Sequence, residues 1–197
     1  MKLIDARKDQ YRRLAHEQGF RSRAAYKLKE LNQSYRLIGP GFYVLDLGCA
    51  PGGWSQMAAK LTGNQGKVMG IDLSYVEEIP NVHLLQADIE DEFVIEEIME
   101  YFGRKVNAVI CDLSPKVSGN WSVDHAKQIS LNYDCTKIMD QVLANKGNAV
   151  FKVFDGEYSM EFRDYIKKKF ARINLTKPKA SRKQSSELYL VCMGFTG

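Results

Sequence analysis

The chain of 197 residues lacks several things that would mark other kinds of protein. It has no apolar run near the roughly 20 residues that span a bilayer, which disfavours a membrane protein. Its opening, MKLIDARKDQYRR, has no apolar stretch behind the charges and so does not read as a secretory leader. Cysteine is sparse: Cys49, Cys111, Cys135 and Cys192 form no C-x-x-C and have no histidine at ligand spacing. A disulfide framework and a zinc site are both unsupported, and His16, His83 and His125 form no metal spacing either. Cys49, Cys111 and Cys192 lie in or beside apolar runs, where reduced cysteine acts as a small core residue, so the compartment expected is the cytoplasm. There is no repeat, low-complexity tract or Pro/Gly-rich linker. With 45% hydrophobic residues and a net charge of only +4, disorder is excluded, and the length fits one domain over 1–197.

The charge that is present is unevenly placed. Residues 1–40 hold ten Lys/Arg against four Asp/Glu, and residues 163–183 hold nine against one, leaving the remainder at −10. Basic ends around an acidic middle fit a polyanion at the ends and something cationic in the middle. Charge runs are often only solvated faces. The run KKKFARINLTKPKASRK, however, interleaves Phe170 and turn formers with its lysines, and nucleic acid is the polyanion expected.

Short β-rich runs alternate with helical patterns. Strands are expected at Tyr43–Gly48, Lys67–Leu73, Val82–Asp88, Val106–Leu113, Gly147–Phe154, Arg172–Lys177 and Glu187–Phe195. Helices are expected near 53–61, 91–102, 124–145 and 159–170, with another from an N-cap at Ser22 to about Tyr35. Apolar strands separated by helices indicate a doubly wound α/β domain, a mostly parallel sheet with helices on both faces, here with a basic N-terminal helical extension over 1–40.

Each of the first four strands finishes on an aspartate: Asp46, Asp72, Asp88 and Asp112. Ligands of open α/β sheets bind beyond the carboxyl ends of the strands, so the four read as the rim of one site. The first strand runs into DLGCAPGGWSQMAAK, a glycine-rich turn that opens a helix. Its spacing, Gly48-x-x-x-Gly52-Gly53, is neither the G-x-G-x-x-G of dinucleotide sites nor a P-loop. A cofactor with a ribose, no phosphate and a positive centre fits better. S-adenosylmethionine is such a molecule, with Asp72 toward the ribose, Asp88 toward the adenine amine and Asp112 near the charged methionine end.

Charges also stand where the pattern calls for apolar residues. Lys152 interrupts AVFKVF, and an isolated buried ammonium is very costly. Either that strand lies at an edge, or Lys152 sits at its carboxyl end with a task. Ala24, Leu28, Leu31 and Tyr35 make a helical stripe, and Lys27 borders it. Glu187 opens the apolar ELYLVCMGF, and Asp112 closes VICDL. Such a set could be a mutually neutralising structural cluster or a reaction centre.

APGGW after a strand, then GIDL, QADI and CDLSP in order, resembles the FtsJ/RrmJ family of RNA ribose 2′-O-methyltransferases. The similarity runs from RSRAAYKLKEL to SSELYLVCMGF, nearly the whole chain. The resemblance implies a Rossmann-like class I methyltransferase fold with a seven-stranded sheet whose last strand is antiparallel. It implies S-adenosylmethionine contacts at Gly52, Trp54, Asp72, Asp88 and Asp112, with no metal. A Lys–Asp–Lys–Glu tetrad maps to Lys27, Asp112, Lys152 and Glu187. A ribose hydroxyl is a poor nucleophile and needs a base as the methyl moves. Lys152 is the candidate base, Lys27 the neighbouring cation that favours a neutral amine, and the two carboxylates the orienting groups. The expected substrate is a uridine of large-subunit ribosomal RNA, with tRNA the near alternative. A noncatalytic RNA-binding module, or a small-molecule or protein methyltransferase, is the reading from another class. With no appended RNA-binding domain, RNA would be held by basic residues of 1–40 and 163–183 on a monomer, and the DLSPKVSGNWSVDH loop would govern substrate choice.

Overall fold

A computed structural model describes residues 3–116, 118–182 and 184–197. The chain runs α1 (Leu3–Glu17), α2 (Ala24–Tyr35), β1 (Tyr43–Leu47), α3 (Gly53–Thr62), β2 (Lys67–Asp72), β3 (Val82–Gln86), α4 (Val94–Phe102), β4 (Val106–Cys111), α5 (Trp121–Val142), β5 (Leu143–Phe154), α6 (Glu157–Lys167), β6 (Phe170–Thr176) and β7 (Glu187–Phe195). The seven strands form one sheet in the order β3-β2-β1-β4-β5-β7-β6. Neighbours pair in parallel from β3 through β5, and β7 runs antiparallel to both β5 and β6. This is the expected arrangement. Its consequence is that Glu187, the first residue of β7, pairs with Phe154, the last of β5, at the edge where the parallel strands end.

Strand alternation decides which side chains reach that edge from which face. Leu45 and Leu47 of β1, with Phe151 and Val153 of β5, enter the apolar layer that includes Val94 and Ile98 of α4, Ile138 of α5 and Phe162 of α6. Val44 and Val150 enter the opposite layer, with Leu28 and Leu31 of α2 and Trp54 and Met57 of α3. Asp46 and Lys152 alternate with the first set, so both point toward α2 and α3. Lys152 therefore lies on a central strand between β4 and β7, not on an edge.

Several boundaries differ from the sequence reading. Ser22 is not the cap of α2: Arg23 holds that position, in a helical conformation and without a side-chain capping bond. The chain turns there because α2 and α3 touch; a Cβ on Gly53 would lie 2.2 Å from Ser22 Oγ. Helix α5 starts earlier than expected, capped by Asn120, whose side chain accepts from the amides of Ser122 and Val123. It also stops earlier, because Leu143 pairs with Val106 and 143–146 joins β5 through a register shift. Helix α6 yields at Lys167 because Phe170 begins β6 opposite Phe195. Among the described residues, no helix is long and apolar enough to cross a membrane.

Candidate active site

The glycine turn after β1 leads the backbone round into α3. Gly52 takes φ +112°, a left-handed conformation that L side chains rarely adopt, and a Cβ there would also strike Ile79 at 2.5 Å. The turn is pinned from two sides. Asp72, at the end of β2, accepts from the Ala50 amide (2.9 Å) and the Ser74 amide (2.8 Å). Arg21 donates to the carbonyls of Pro51, Glu77 and Glu78 and faces the Glu77 carboxylate, so this guanidinium is committed to the fold.

Beyond the strand ends lies a cavity of about 970 Å³, lined by Asp72, Asp88 and Asp112 together with Gly48, Ala50, Leu73 and others. Three of the four strand-end aspartates therefore share one site. The fourth does not. Asp46 stands inside β1 rather than at its tip, is fully buried, and accepts from Ser55 Oγ at 2.6 Å. Burial, then the nearby charges of Asp112 and Asp72, push its carboxyl up to about 7, against the pull of the Ser55 bond. Trp54 is buried, gives its indole N–H to the Ala24 carbonyl, and packs against Tyr189. It borders a smaller cleft of about 220 Å³ with Lys27, Gly53 and Asp112, which joins the large cavity through Gly48, Ala50 and Asp112. Gly52 shapes the turn without lining either space.

The four charged residues picked out of apolar patterns come together. Lys27 Nζ donates to Glu187 Oε2 at 3.0 Å. Lys152 Nζ donates to the Asp112 carbonyl at 2.6 Å and stands 3.3 Å from Asp112 Oδ1. Both lysines are buried, Lys27 to 7% exposure and Lys152 to 5%. The two pairs are joined by a residue the sequence reading missed. The Tyr189 hydroxyl accepts from Lys27 Nζ at 2.9 Å and donates to Asp112 Oδ1 at 2.9 Å. Its signal was available: Tyr189 is two residues after Glu187, so on the same face of β7, and it pairs in register with Lys152. Burial, followed by the charges of Asp112 and Glu187, pushes the phenol well above its ordinary value. Burial alone would raise the Glu187 carboxyl, but the Lys27 ammonium outweighs it and holds the group below its ordinary value. Gln128 and Asn132 of α5 both donate to the Lys152 carbonyl at 2.9 Å, which fixes the strand under the lysine.

A third recess of about 430 Å³ opens on the other side of the tetrad, walled by Arg23, Lys27, Arg182 and Glu187 with Gln184 and Ser185. Burial, then repulsion from Arg182, lowers the Arg23 guanidinium from its ordinary value, so two cations converge there. Glu30 ties the basic segments together at this edge, accepting from the Tyr11 hydroxyl of α1 (3.0 Å) and from the amides of Lys179 (2.6 Å) and Ala180 (3.4 Å). The basic stretch 163–183 is not one patch, however. Register places Phe170 opposite Phe195 and Thr176 opposite Tyr189. Lys167, Lys168 and Lys169 thus sit at the far edge of the sheet, where Lys169 is held by Asp140, while Lys179 and Arg182 follow β6 at the tetrad edge. Lys183 lies outside the described residues.

Residues 20–195 match the family model described as FtsJ-like methyltransferase. The chain belongs to the FtsJ-like methyltransferase family. It is 87% identical over 197 residues, the full length of both chains, to a ribosomal RNA large subunit methyltransferase E of Nitrosopumilus maritimus. To the protein of the same name from Cenarchaeum symbiosum it is 64% identical, again over the full length of both. A crystal structure of a ribosomal RNA methyltransferase from Plasmodium falciparum superposes with a TM-score of 0.82 at 32% identity, covering 90% of this chain and all of that one. In this FtsJ-like chain the tetrad lies between the two spaces, Asp112 and Lys152 lining the aspartate-rich cavity and Lys27 and Glu187 the cationic recess.

Proposed function

We propose that the chain transfers a methyl group from S-adenosylmethionine to a ribose 2′-hydroxyl of large-subunit ribosomal RNA, a uridine being the nucleotide expected. The observation that carries this reading is the buried chain Glu187–Lys27–Tyr189–Asp112–Lys152, whose Asp112–Lys152 end lines the cavity and whose Glu187–Lys27 end lines the recess. The names of the full-length relatives support ribosomal RNA over tRNA as substrate. The whole of 1–197 acts as one methyltransferase unit, in the cytoplasm, where four buried free cysteines belong.

The cavity fits the cofactor. Ile71, Leu73, Ala87, Ile89 and Leu113 give it apolar walls for a purine, and its carboxylates suit hydroxyls, an amine and a positive centre. Asp72 would take the ribose, Asp88 the adenine amine, and Asp112 the neighbourhood of the sulfonium. The first N–H groups of α3, at Gly53 and Trp54, have no acceptor within the helix and would receive the methionine carboxylate. When bound, the cofactor supplies an electrophilic methyl on a cationic sulfur. Lys152 does the rest at the acceptor. Two acceptors on Asp112 fix its Nζ, which receives the proton of the 2′-hydroxyl as the oxygen gains the methyl. Lys27, anchored by Glu187 and Tyr189, adds a second cation beside the developing oxyanion. Arg23 and Arg182 are placed to take phosphates flanking the acceptor ribose. Alignment of oxygen with methyl accounts for much of the remaining rate.

The test is Lys152→Ala and Lys152→Arg, measured as single-turnover methyl transfer to large-subunit RNA with cofactor affinity by calorimetry. Both variants should lose transfer and keep cofactor binding, because a guanidinium cannot accept the proton. Near-normal turnover by either folded variant overturns the role of Lys152.

A further inference from the structure

Beside the tetrad is an aromatic assembly that the chemistry above does not use. Phe154 is two residues beyond Lys152 on β5, so on the same strand face and about 7 Å further along, and it pairs with Glu187. Its ring stacks on Trp121, the first residue of α5, at 5.7 Å between centroids and 30° between planes. Trp121 in turn lies parallel to His125, at 5.9 Å and 4°, and His125 lies against Tyr158 of α6, at 5.5 Å and 24°. The middle ring is 2% exposed, whereas Trp121 is 49% exposed and Tyr158 44%. His125 is clamped at its edge as well, since a Cβ on Gly156 would meet the imidazole at 2.6 Å. The cap of Asn120 fixes the start of α5 under the indole.

Trp121 and Tyr158, both half-exposed and both packed on His125, leave a contiguous aromatic area uncovered among the described residues. Held in place by its neighbours, the indole loses little freedom when a second flat ring meets it. Trp121 is tied to the tetrad through Phe154, whose ring it stacks on and which pairs with Glu187, so an RNA that places a ribose at Lys152 has bases within reach of the indole. Bases read by proteins in RNA are unstacked ones, laid on aromatic side chains.

We propose that Trp121 is a stacking platform for an unpaired base of the RNA substrate, next to the nucleotide whose ribose is methylated. This rests on the RNA reading above and deepens it: the ligand of the platform is a nucleobase, and the stretch recognised is single-stranded or splayed open. The platform supplies affinity that does not depend on phosphate.

The experiment uses the full chain and two 12-nucleotide RNAs, one of mixed sequence and one with abasic sugars at every position. Trp121→Ala should bind the first about 5- to 100-fold more weakly, the range set by one lost base–aromatic stack, while Trp121→Phe stays within about threefold of the parent. All three proteins should bind the abasic RNA equally and show the same salt slope, because phosphate contacts are untouched. Fluorescence of the parent chain gives a reading independent of any variant. Trp54 is already buried, so protection from acrylamide quenching on adding the mixed RNA, and none with the abasic RNA, reports Trp121. Unchanged affinity of Trp121→Ala for the mixed RNA, or unchanged quenching, overturns the platform. So does sedimentation showing that the parent self-associates through this face and Trp121→Ala does not, with RNA affinity equal. If the parent binds neither RNA and methylates none, the RNA reading fails along with the platform. Normal methylation by the parent with an inert Trp121 removes the platform alone.

Discussion

Asp46 makes the folding stability of the chain depend on pH. Its carboxyl is fully buried, one oxygen is satisfied by Ser55, and the other has no hydrogen-bond partner among the described residues. The folded-state value, about 7, stands above the ordinary 3.8. Between those values the folded chain binds a proton that the unfolded chain has released. Stability from this residue is therefore full below about pH 4, declines as pH rises toward 7, and levels off above it. At 1.36 kcal/mol per unit, the decline from pH 5 to pH 8 is about 3 kcal/mol. Asp46→Asn keeps the acceptor for Ser55 but cannot ionise. It leaves an amide donor unmet, a cost of about 1–3 kcal/mol that does not vary with pH. The quantity to read is thus how the difference between parent and variant changes with pH, which cancels both that offset and every other titrating group. Urea unfolding at pH 5, 6, 7 and 8, without cofactor, should show the variant gaining on the parent by about 3 kcal/mol across the range. A difference that stays flat would mean that Asp46 is ionised throughout in the folded chain, and the reasoning from burial would fall.

Three further outcomes are expected. Tyr189→Phe removes the hydroxyl between Lys27 and Asp112 while keeping the ring against Trp54; the maximal rate should drop on the order of tenfold with the RNA KM little changed, and stability by about 1–3 kcal/mol. A rate equal to the parent's in steady-state assays would remove Tyr189 from the positioning chain. Asp72→Ala should weaken cofactor binding about tenfold to a hundredfold by calorimetry without altering RNA affinity, and unchanged cofactor affinity would take the β2 carboxylate out of the site. Replacing Lys179 and Arg182 with Gln should flatten the slope of log RNA affinity against log salt by up to about 1.5, while Lys167→Gln with Lys168→Gln, at the far edge, should leave it alone. Equal flattening from both pairs would show that overall charge, not placement, recruits RNA.

The periodicity of the sequence was enough to place strands, because buried parallel strands are apolar throughout and their ends are marked by glycine and aspartate. The tetrad was legible for the converse reason: a lysine in AVFKVF or beside the α2 stripe violates the pattern and so announces itself. Asp46 misled, because alternation with Leu45 and Leu47 turns it into the sheet layer rather than onto the rim, and a strand end cannot be read to within one residue. Tyr189 escaped notice because tyrosine suits an apolar strand; only its register with Lys152 reveals the hydroxyl as a bridge. The division of 163–183 between two edges was invisible without the antiparallel pairing of β6 and β7, since charge counted along the chain ignores where a strand carries it. The Trp121 stack has one local step, Trp121 to His125 four residues on, but its contacts to Phe154 and Tyr158 each span 33 positions and have no local signature.

Methyl transfer to a ribose 2′-hydroxyl of large-subunit ribosomal RNA can be read on the product itself. Large-subunit RNA and assembled large subunits are incubated with the chain and isotopically labelled S-adenosylmethionine, digested to nucleosides and oligonucleotides, and mapped by mass. One added methyl is expected on the ribose of a single nucleotide, with none after Lys152→Ala. Label on a base, on tRNA in preference to ribosomal RNA, or undiminished in Lys152→Ala would contradict it.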